Sequence, residues 1–193
     1  MRDLYRELRR RLTPAQSAAL DALLEAAATA GLPLYLVGGS VRDLILDRPG
    51  LDVDLVLEGP AIQLAEAFAA RTGATVRRHA AFGTATVWGP GFRFDLATAR
   101  RETYRRPGAL PTVQPAALAD DLARRDFTIN AMALGLTPAE RGRLVDPFHG
   151  LADLEARLVR VLHPDSFRDD ATRMLRAVRY AGRLGFRLEP ETL

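Results

Sequence analysis

Residues 36–43 read Leu36-Val37-Gly38-Gly39-Ser40-Val41-Arg42-Asp43, and the start of the fold follows from them. The apolar run over residues 34–37 predicts a strand that turns at the two glycines and continues as a helix over residues 41–46. Glycines let the backbone approach a phosphate, and a helix N-terminus offers free N–H donors and a positive dipole end. The stretch therefore predicts an anion site that Arg42 can also reach. An ordinary glycine turn remains the alternative, since the spacing matches neither a Walker loop nor a dinucleotide fingerprint.

A pair of carboxylates follows in Asp52-Val53-Asp54, at the start of a second predicted strand over residues 52–57. Residues i and i+2 of a strand share a face, so the two carboxylates repel each other unless a cation lies between them. Magnesium is bound in this way, by one or two carboxylates and substrate phosphates. The pair could also be an exposed strand end. Asp95, in an alternating apolar stretch, could complete a two-metal site from a neighbouring strand or could face solvent.

The first 150 residues mix helices and strands, whereas helices dominate afterwards, so we predict an α+β fold with a domain boundary near residue 150. Further helices are predicted over residues 3–12, 15–30, 61–72, 118–124, 128–135, 150–157 and 169–184, the last ending at Gly185, and further strands near residues 75–78, 84–88 and 92–97. Residues 99–117 contain Pro107, Pro111 and Pro115, which favours a long mobile loop.

Polar residues cluster where the helix over residues 128–135 is predicted to begin. Arg124 and Arg125 could bind phosphates there, and Asp126 could accept a hydrogen bond from a ribose hydroxyl, with Asn130 in the same polar group. The alternative is that Asp126 caps the helix and that the arginines are solvated.

The last predicted helix carries an arginine stripe. At 100° per residue, one third of its circumference holds Arg173, Arg176, Arg179, Arg183 and, if the helix extends so far, Arg187. Most of the opposite side is apolar, with Met174, Ala177, Val178, Ala181 and Leu184. The usual interpretation is a solvated basic face. Asp170 and Arg173, three residues apart, could instead read the edge of a base together, or could form a plain salt bridge.

Composition excludes several classes of protein. With 48% hydrophobic and 26% charged residues, the 193-residue chain is globular rather than disordered. It has no cysteine and no lysine, which excludes disulfides, thiolate chemistry and lysine chemistry, and its three histidines make a histidine-rich metal site unexpected. No apolar run approaches the roughly 18 residues of a membrane span, and the charged start lacks a signal core. We therefore expect a soluble cytoplasmic protein without a membrane partner; the sequence indicates no oligomeric state.

Taken together, residues 34–189 resemble the class II tRNA nucleotidyltransferases, a family of CCA-adding enzymes and bacterial poly(A) polymerases in the DNA polymerase β superfamily. Residues 38–43 resemble its Gly-Gly-x-Val-Arg-Asp motif, residues 52–54 its metal-binding pair, and residues 124–131 its Arg-Arg-Asp motif. Residues 169–173 resemble its Glu-Asp-x-x-Arg base-selecting motif, although Asp169 replaces the usual Glu and Ala171 replaces a frequent Pro.

The resemblance implies a polymerase β-like head, with a mixed sheet flanked by helices, over residues 1–150 and the start of an all-helical neck over residues 151–193. Family members are about twice as long, so we expect a truncated or minimal form that lacks the body and tail. The residues that the resemblance implies for nucleotide binding are Gly38, Gly39, Arg42, Arg124, Arg125, Asp126, Asn130, Asp170, Arg173, Arg176 and Arg179.

Within that set the resemblance implies distinct roles. Gly39 and Arg42 would hold the triphosphate, and Asp170 and Arg173 would select the base. Asp52 and Asp54 would bind Mg²⁺. Asp95, which we select from its place in the neighbouring predicted strand and not from the family pattern, is the third acid that we expect in a site for two Mg²⁺ ions. The proline-rich segment over residues 99–117 would help the switch from C to A.

The implied activity is template-independent addition of C, A or both, from CTP and ATP, to the 3′ end of tRNA. Alternatives within the class are an A-adding enzyme, a CC-adding enzyme and a poly(A) polymerase. An alternative from another class is a truncated, inactive module that binds nucleotide or RNA. Magnesium-dependent nucleotide binding would distinguish the enzyme from that module, because the aspartate pair has no use in a plain binding protein.

Overall fold

The computed structural model describes residues 3–50, 52–106, 108 and 111–192. The helices are α1 (Leu4–Arg11), α2 (Pro14–Thr29), α3 (Gly39–Ile45), α4 (Ala61–Thr72), α5 (Leu118–Ala123), α6 (Gly150–Ala156), α7 (Ser166–Asp169) and α8 (Thr172–Leu184). Thr13 caps α2 through a reciprocal pair of hydrogen bonds with Gln16, which explains the break before Pro14. None of the helices in these ranges is long and apolar enough to cross a membrane.

Strands make up one large sheet and two small ones. The strands are β1 (Leu34–Val37), β2 (Val53–Leu57), β3 (Thr75–His79), β4 (Thr84–Gly89), β5 (Phe92–Thr98), β6 (Arg100–Thr103), β7 (Thr112–Pro115), β8 (Ala133–Gly135), β9 (Leu144–Val145), β10 (Leu158–Val159) and β11 (Arg187–Leu188). Within the described ranges, the large sheet has seven strands in the order β3-β4-β5-β2-β1-β8-β9, and only β2 and β5 pair in parallel. The predicted α+β class with a mixed sheet is confirmed.

The two faces of the large sheet are covered differently. One face packs on α1, α2 and α4 through a core that includes Leu20, Phe68 and Phe94. Part of the other face packs on α5, where Val37 and Leu122 belong to a second apolar cluster. On the rest of that second face, formed by β3, β4 and the adjoining part of β5, Arg77, Trp88 and Arg93 are exposed, whereas Thr86 between them is buried. The polar residues of β2 therefore lie between a covered and an open part of the same face.

The helix predicted over residues 128–135 is wrong. Residues Thr128–Asn130 form a single 3₁₀ turn, and Ala133–Gly135 form β8, which pairs with β1. Residues 126–136 are all buried, so apolar side chains occur at helical spacings without a helix. A strand buried on both faces gives no alternating pattern by which the sequence could have revealed it.

The segment over residues 99–117, which was predicted to be a loop, forms two paired strands near its ends. Strands β6 and β7 pair in antiparallel fashion, with Arg100 opposite Pro115 and Thr103 opposite Thr112. Proline is tolerated in edge strands, so a proline-rich sequence that suggests a loop can still contain a strand. The middle of the expected loop, at residues 107, 109 and 110, lies outside the described residues. The domain boundary near residue 150 stays a prediction.

Helix α8 begins later than predicted, and its faces only partly follow the predicted arrangement. Asp170 has an extended backbone (φ −145°, ψ 101°), so α7 and α8 are separate helices, and Arg187 lies in β11. Ala177 is buried as expected, but Val178 is 65% exposed and Arg173 is buried. The expected solvated basic face is therefore only partly observed: Arg173 is buried by contacts with backbone carbonyls, whereas Arg179 is exposed.

Candidate active site

A polar cleft of about 480 Å³ opens between the β1–α3 turn, β2, the segment after α5, and α8. Most residues that the sequence analysis selected line it. The lining consists of Gly39, Ser40, Arg42, Asp43, Asp52, Asp54, Glu102, Tyr104, Arg124, Arg125, Asp126, Asn130, Asp170, Arg173, Arg176, Tyr180 and Arg183. Gly38, Asp95 and Arg179 lie outside this lining. Four segments that are distant in sequence thus meet at one cleft.

The glycine turn fits closely against an arginine of the later motif. Gly38 has φ +66°, and a Cβ atom there would lie 2.4 Å from Nη1 of Arg125. Arg125 in turn donates to the backbone carbonyl of Asn130 at 3.3 Å. The left-handed backbone therefore favours glycine here, and a side chain at this position would also have to displace the end of Arg125. Helix α3 begins at Gly39, where the first N–H groups have no acceptor within the helix.

Arg42 is buried, with 3% of its side chain exposed. Its Nε and Nη2 donate to the two carboxylate oxygens of Asp43, both at 2.9 Å, and its Nη1 donates to Oδ1 of Asn130. The guanidinium also lies 5.0 Å from the ring centre of Tyr180 on α8. Arg42 therefore joins α3 to the later motif and to α8, while it adds positive charge beneath the glycine turn.

The predicted carboxylate pair lies at the edge of the cleft. Asp54, on β2, accepts a hydrogen bond from Oγ of Ser40 at 3.3 Å and pairs in register with Asp95 on β5. Burial, the negative charge of Asp95 and that of Asp52 raise the pKa of Asp54 above its ordinary value, against an opposing hydrogen bond from Ser40. The three carboxylates together form a region of negative charge that a cation would neutralise.

Asp95 lies on the open side of Asp54. It lines two shallow grooves together with Asp54, accepts a hydrogen bond from the hydroxyl of Thr86, and lies 3.5 Å from the guanidinium of Arg93. In the described part of the chain, no group of three or more acidic, histidine or cysteine side chains has the geometry of a complete metal site. Any cation here would therefore need oxygen ligands from a substrate as well as from the aspartates.

A buried carboxylate that the sequence analysis missed holds both motif arginines. Asp121 is fully buried on α5; its Oδ1 accepts from Nη2 of Arg124 at 2.7 Å and its Oδ2 from Nη2 of Arg125 at 2.8 Å. Burial acts to raise the pKa of Asp121, but the charges of Arg125 and Arg124 outweigh it and hold the pKa below its ordinary value. The i, i+3 and i, i+4 spacing was the signal that could have identified Asp121.

Strand β6 also reaches the cleft, through Glu102 and Tyr104. Glu102 accepts from Nη1 of Arg124 at 2.9 Å and from Nη2 of Arg100 at 3.1 Å, and it accepts from the hydroxyl of Tyr104 at 3.0 Å. Burial and the charge of Glu102 raise the pKa of Tyr104. These residues lie in the segment expected to be a loop, and nothing in the local sequence indicated that they face the cleft.

The third motif residue, Asp126, links the sheet to α8. Its Oδ1 accepts from Nδ2 of Asn130 at 2.9 Å, and its Oδ2 accepts from Nε and Nη2 of Arg176 at 2.8 and 2.6 Å. It does not cap an α-helix, because the 3₁₀ turn Thr128–Asn130 follows it, and that turn begins after Phe127 without a side-chain cap. Arg176 also lies with its guanidinium 5.5 Å from the ring centre of Tyr180. The paired carboxylate and guanidinium fix the position of α8 over the cleft.

Asp170 and Arg173 both line the cleft but have separate partners. Arg173 donates to Oγ of Ser166 at 2.7 Å and to the backbone carbonyl of Arg124 at 3.0 Å. Asp170 accepts from the backbone N–H and the hydroxyl of Thr172. The backbone N–H of Arg173 donates to the carbonyl of Asp170 at 3.1 Å, but over the described residues no side-chain hydrogen bond or salt bridge joins the two, so the alternative of a plain i, i+3 salt bridge does not apply. Arg179 is exposed, outside the lining of the cleft.

Comparison with known proteins gives consistent matches. The Poly A polymerase head domain matches residues 34–160. The A-adding tRNA nucleotidyltransferase of Halalkalibacterium halodurans is 49% identical over 174 residues, 90% of this chain. The CC-adding tRNA nucleotidyltransferase of Deinococcus radiodurans is 46% identical over 161 residues, 83% of this chain. A solved structure of a CCA-adding enzyme without ligand superposes on 99% of the chain with a TM-score of 0.89 at 42% identity.

The same comparisons show how much of each relative this chain represents. The matches cover 41% of the H. halodurans protein, 43% of the D. radiodurans protein and 45% of the chain in the solved structure. The chain thus spans less than half the length of the relatives that it matches. All segments that meet at the cleft lie within the matched part of the solved structure.

Proposed function

Because the chain belongs to the poly(A) polymerase head-domain family, we propose that it transfers C, A or both from CTP and ATP to the 3′ end of tRNA, without a template. The observation that carries this proposal is the single cleft that gathers a glycine turn, an aspartate pair, two arginines with an aspartate, and a further arginine helix. Each of these groups has the chemistry to hold a different part of a nucleoside triphosphate.

The glycine turn and the arginines would hold the phosphates. The unpaired first-turn N–H groups of α3 suit phosphate oxygens, because they present several donors to one anion. Arg125, fixed by Asp121 and Gly38, adds a guanidinium whose position is set before the nucleotide binds. Arg42 would contribute its charge from below, because its own N–H donors are occupied by Asp43 and Asn130. Positioning and charge neutralisation would provide most of the catalysis.

Asp52 and Asp54 would hold Mg²⁺, with Asp95 as the adjoining carboxylate. The residues fit such an ion because they provide only oxygen ligands. The pKa of Asp54, half-buried beside Asp95, is raised, and a bound cation would lower it again. Two bound Mg²⁺ ions would supply activation of the attacking 3′-hydroxyl and stabilisation of the leaving pyrophosphate. The hydroxyl of Ser40 would keep the Asp54 carboxylate in one orientation.

The remaining residues would hold the nucleoside. Asp126 would accept from the ribose, and Asp170 and Arg173 would present an acceptor and donors to the base edge. The contacts of Arg173 with Ser166 and with the carbonyl of Arg124 support a fixed donor position. Arg176 would support the nucleotide from α8, with Arg179 as an outer member of the same helix. An Asp170→Ala variant should then impair the choice of base more than it impairs binding of the triphosphate.

The experiment that tests the proposal offers three tRNAs to the protein, ending before CCA, after C and after CC, each with Mg²⁺ and labelled CTP or ATP alone. Transfer supports the proposal, and the pattern over the three tRNAs identifies a CCA-adding, CC-adding or A-adding enzyme. Transfer should disappear in the Asp52→Ala, Asp54→Ala double variant with the fold retained. If that double variant transferred nucleotide normally, the metal assignment would be wrong.

A further inference from the structure

The exposed part of the large sheet carries an ordered set of polar side chains. In the register of β3, β4, β5 and β2, Arg77 lies opposite Thr86, Thr86 opposite Asp95, and Asp95 opposite Asp54. These four residues therefore form one row that crosses four strands and ends at the cleft. Trp88 lies opposite Arg93 in the neighbouring row, on the same face.

The chemistry of this face differs from that of the covered face behind it. Arg77, Trp88 and Arg93 are all exposed, and Trp88 is a large aromatic side chain with 36% of its surface in solvent. Arg78, the next residue of β3, points to the opposite face and forms a salt bridge at 3.0 Å with Glu66 of α4. A bare sheet face that combines guanidinium groups with an exposed aromatic ring suits single-stranded nucleic acid, whose bases stack and whose phosphates are anionic.

Asp54 connects this face to the nucleotide cleft. It lines the cleft on one side, and on the other it lines two grooves that include Arg93: one of about 510 Å³ between β2 and the start of β5, and one of about 540 Å³ along β4 and β5. Phosphoryl transfer needs the attacking and leaving oxygens roughly in line across the phosphorus atom. If the triphosphate occupies the cleft, the attacking hydroxyl must approach from the side of β5.

We propose that this surface, the acceptor face formed by Arg77, Thr86, Trp88 and Arg93, binds the single-stranded 3′ end of the RNA that receives the nucleotide. Trp88 stacks on a base, Arg77 and Arg93 bind backbone phosphates, and the row from Thr86 to Asp95 directs the terminal hydroxyl towards Asp54. The inference rests on the proposed function, which requires an RNA 3′ end beside Asp54. It adds the surface and the residues that hold that end.

The test compares two neighbouring arginines of one strand. The full chain and its Arg77→Ala, Arg78→Ala and Trp88→Ala variants are titrated into a fluorescein-labelled single-stranded RNA of about 12 nucleotides that ends in CC. We expect Trp88→Ala to weaken binding about tenfold, the loss expected for one stacked base. We expect Arg77→Ala to weaken binding several-fold and to reduce the slope of log K against log salt by about 0.7, the value for one phosphate contact.

Arg78→Ala is the matched control, since it removes the same charge from the other face of the same strand and should leave RNA affinity nearly unchanged. Equal losses in Arg77→Ala and Arg78→Ala, or no binding of the RNA by the unmodified chain, would overturn the proposal. Binding of ATP and CTP with Mg²⁺ is measured separately and should be unchanged in all three variants. Failure of nucleotide binding or of transfer, with the Arg77 and Trp88 effects intact, would reject the proposed function and leave the RNA surface supported.

Discussion

Burial and neighbouring negative charge make the ionised form of the Asp54 carboxylate unfavourable in the metal-free protein. That carboxylate is partly buried, and the charges of Asp95 and Asp52 add to the cost of ionising it, so its pKa is raised. Because the folded chain holds this proton more tightly than the unfolded chain, the ionised carboxylate lowers the stability of the metal-free protein once the pH exceeds the folded pKa. A bound cation would neutralise these charges, so the ionised carboxylate of Asp54 would no longer lower the stability of the metal-loaded protein.

Asp54→Asn should therefore separate stability from function. The neutral amide removes the like-charge repulsion, so the melting temperature of the metal-free variant should equal or exceed that of the unmodified chain. Terminal transfer should fall by about a thousandfold or more, the loss expected when several kcal/mol of charge stabilisation disappear. Adding Mg²⁺ should raise the melting temperature of the unmodified chain alone. An equal response of both proteins to Mg²⁺ in thermal unfolding would contradict the assignment of Asp54 as a ligand.

Asp121 has the opposite electrostatic situation, because two guanidinium groups compensate its burial. Asp121→Asn should lower the free energy of unfolding by about 3 kcal/mol, since removing one member of a buried ion pair leaves its partners uncompensated. It should also weaken nucleotide binding, because Arg124 and Arg125 lose the group that orients them. Urea unfolding and nucleotide titration measure the two effects. Asp120→Asn, on the exposed neighbour that pairs with Arg101, is the control and should change stability by less than about 0.5 kcal/mol.

The effect of Asp121→Asn on stability should depend on pH in a defined direction. The pKa of Asp121 is lower in the folded chain than in the unfolded chain. Its contribution is therefore complete above the unfolded pKa of about 3.9 and is lost as the pH falls through the lower folded value. The stability difference between the unmodified chain and Asp121→Asn should be constant near neutral pH and should shrink below about pH 4. A difference that stayed constant down to pH 2 would show that the carboxylate charge is not responsible.

The residues that the sequence could predict are those whose chemistry is unusual at their position. Paired carboxylates in a strand and a double glycine before a helix both suggest a ligand, so Asp52, Asp54 and Gly39 were selected, and all three line the cleft. Asp121 was not selected, because its burial depends on the distant strands that pack against α5. Glu102 reaches Arg124 only because β6 pairs with β7 and follows β5, which no local pattern indicates.

At the scale of elements, α8 is held to the sheet by the pair Arg176–Asp126. Arg176→Ala should lower the free energy of unfolding by about 1–2 kcal/mol, less than for a fully buried pair, because half of the Arg176 side chain is in water. It should also leave Asp126, which is buried, without its charged partner. Arg179→Ala removes the same charge from an exposed position of the same helix and should change stability by less than about 0.5 kcal/mol.

Chemical denaturation of the two arginine variants measures this difference directly. Equal stability of Arg176→Ala and Arg179→Ala would mean that the ion pair with Asp126 does not fasten the helix. In that case the other contacts of α8 would hold it, such as the hydrogen bonds of Arg173 and the ring of Tyr180 against Phe127 at 5.7 Å between centroids.

The sequence predicted well the elements that have one apolar and one polar face. It missed an element that is buried on both sides, and it misassigned part of the exposed face of α8. Helix α4 has a clear apolar stripe and glycine at its C-terminus, so its bounds were predicted correctly. Strand β8 is buried on both sides, and its pattern therefore resembles a helix. The apolar side predicted for α8 was only partly right: Ala177 is buried, but Met174 and Val178, which hydropathy also placed inside, are 49% and 65% exposed. Hydropathy contains no information on the carboxylates and carbonyls that receive the arginines.

For the whole molecule, the cleft is the place where α3 and the sheet meet α8. Asp43, near the start of the sheet, lies 3.5 Å from Arg183 of α8, and Arg48 donates to the carbonyl of Arg183 at 3.0 Å. Asp126 and Arg176 add a second link between the sheet and α8. A ligand in this cleft would contact groups from both parts at once. Its binding energy should therefore stabilise the fold as a unit rather than one loop of it.

Saturating ATP or CTP with Mg²⁺ should raise the melting temperature by about 5–10 °C. At a concentration of 100 times the dissociation constant, a ligand of the folded state adds about 2.7 kcal/mol, and each kcal/mol corresponds to about 2–4 °C in a chain of this size. AMP is the matched control, since it keeps base and ribose but lacks the β- and γ-phosphates that the glycine turn and Arg125 would hold. Its shift at the same concentration should be much smaller. Equal shifts with AMP and ATP would mean that the phosphates contribute little, and the glycine turn would then be a structural feature rather than a triphosphate site.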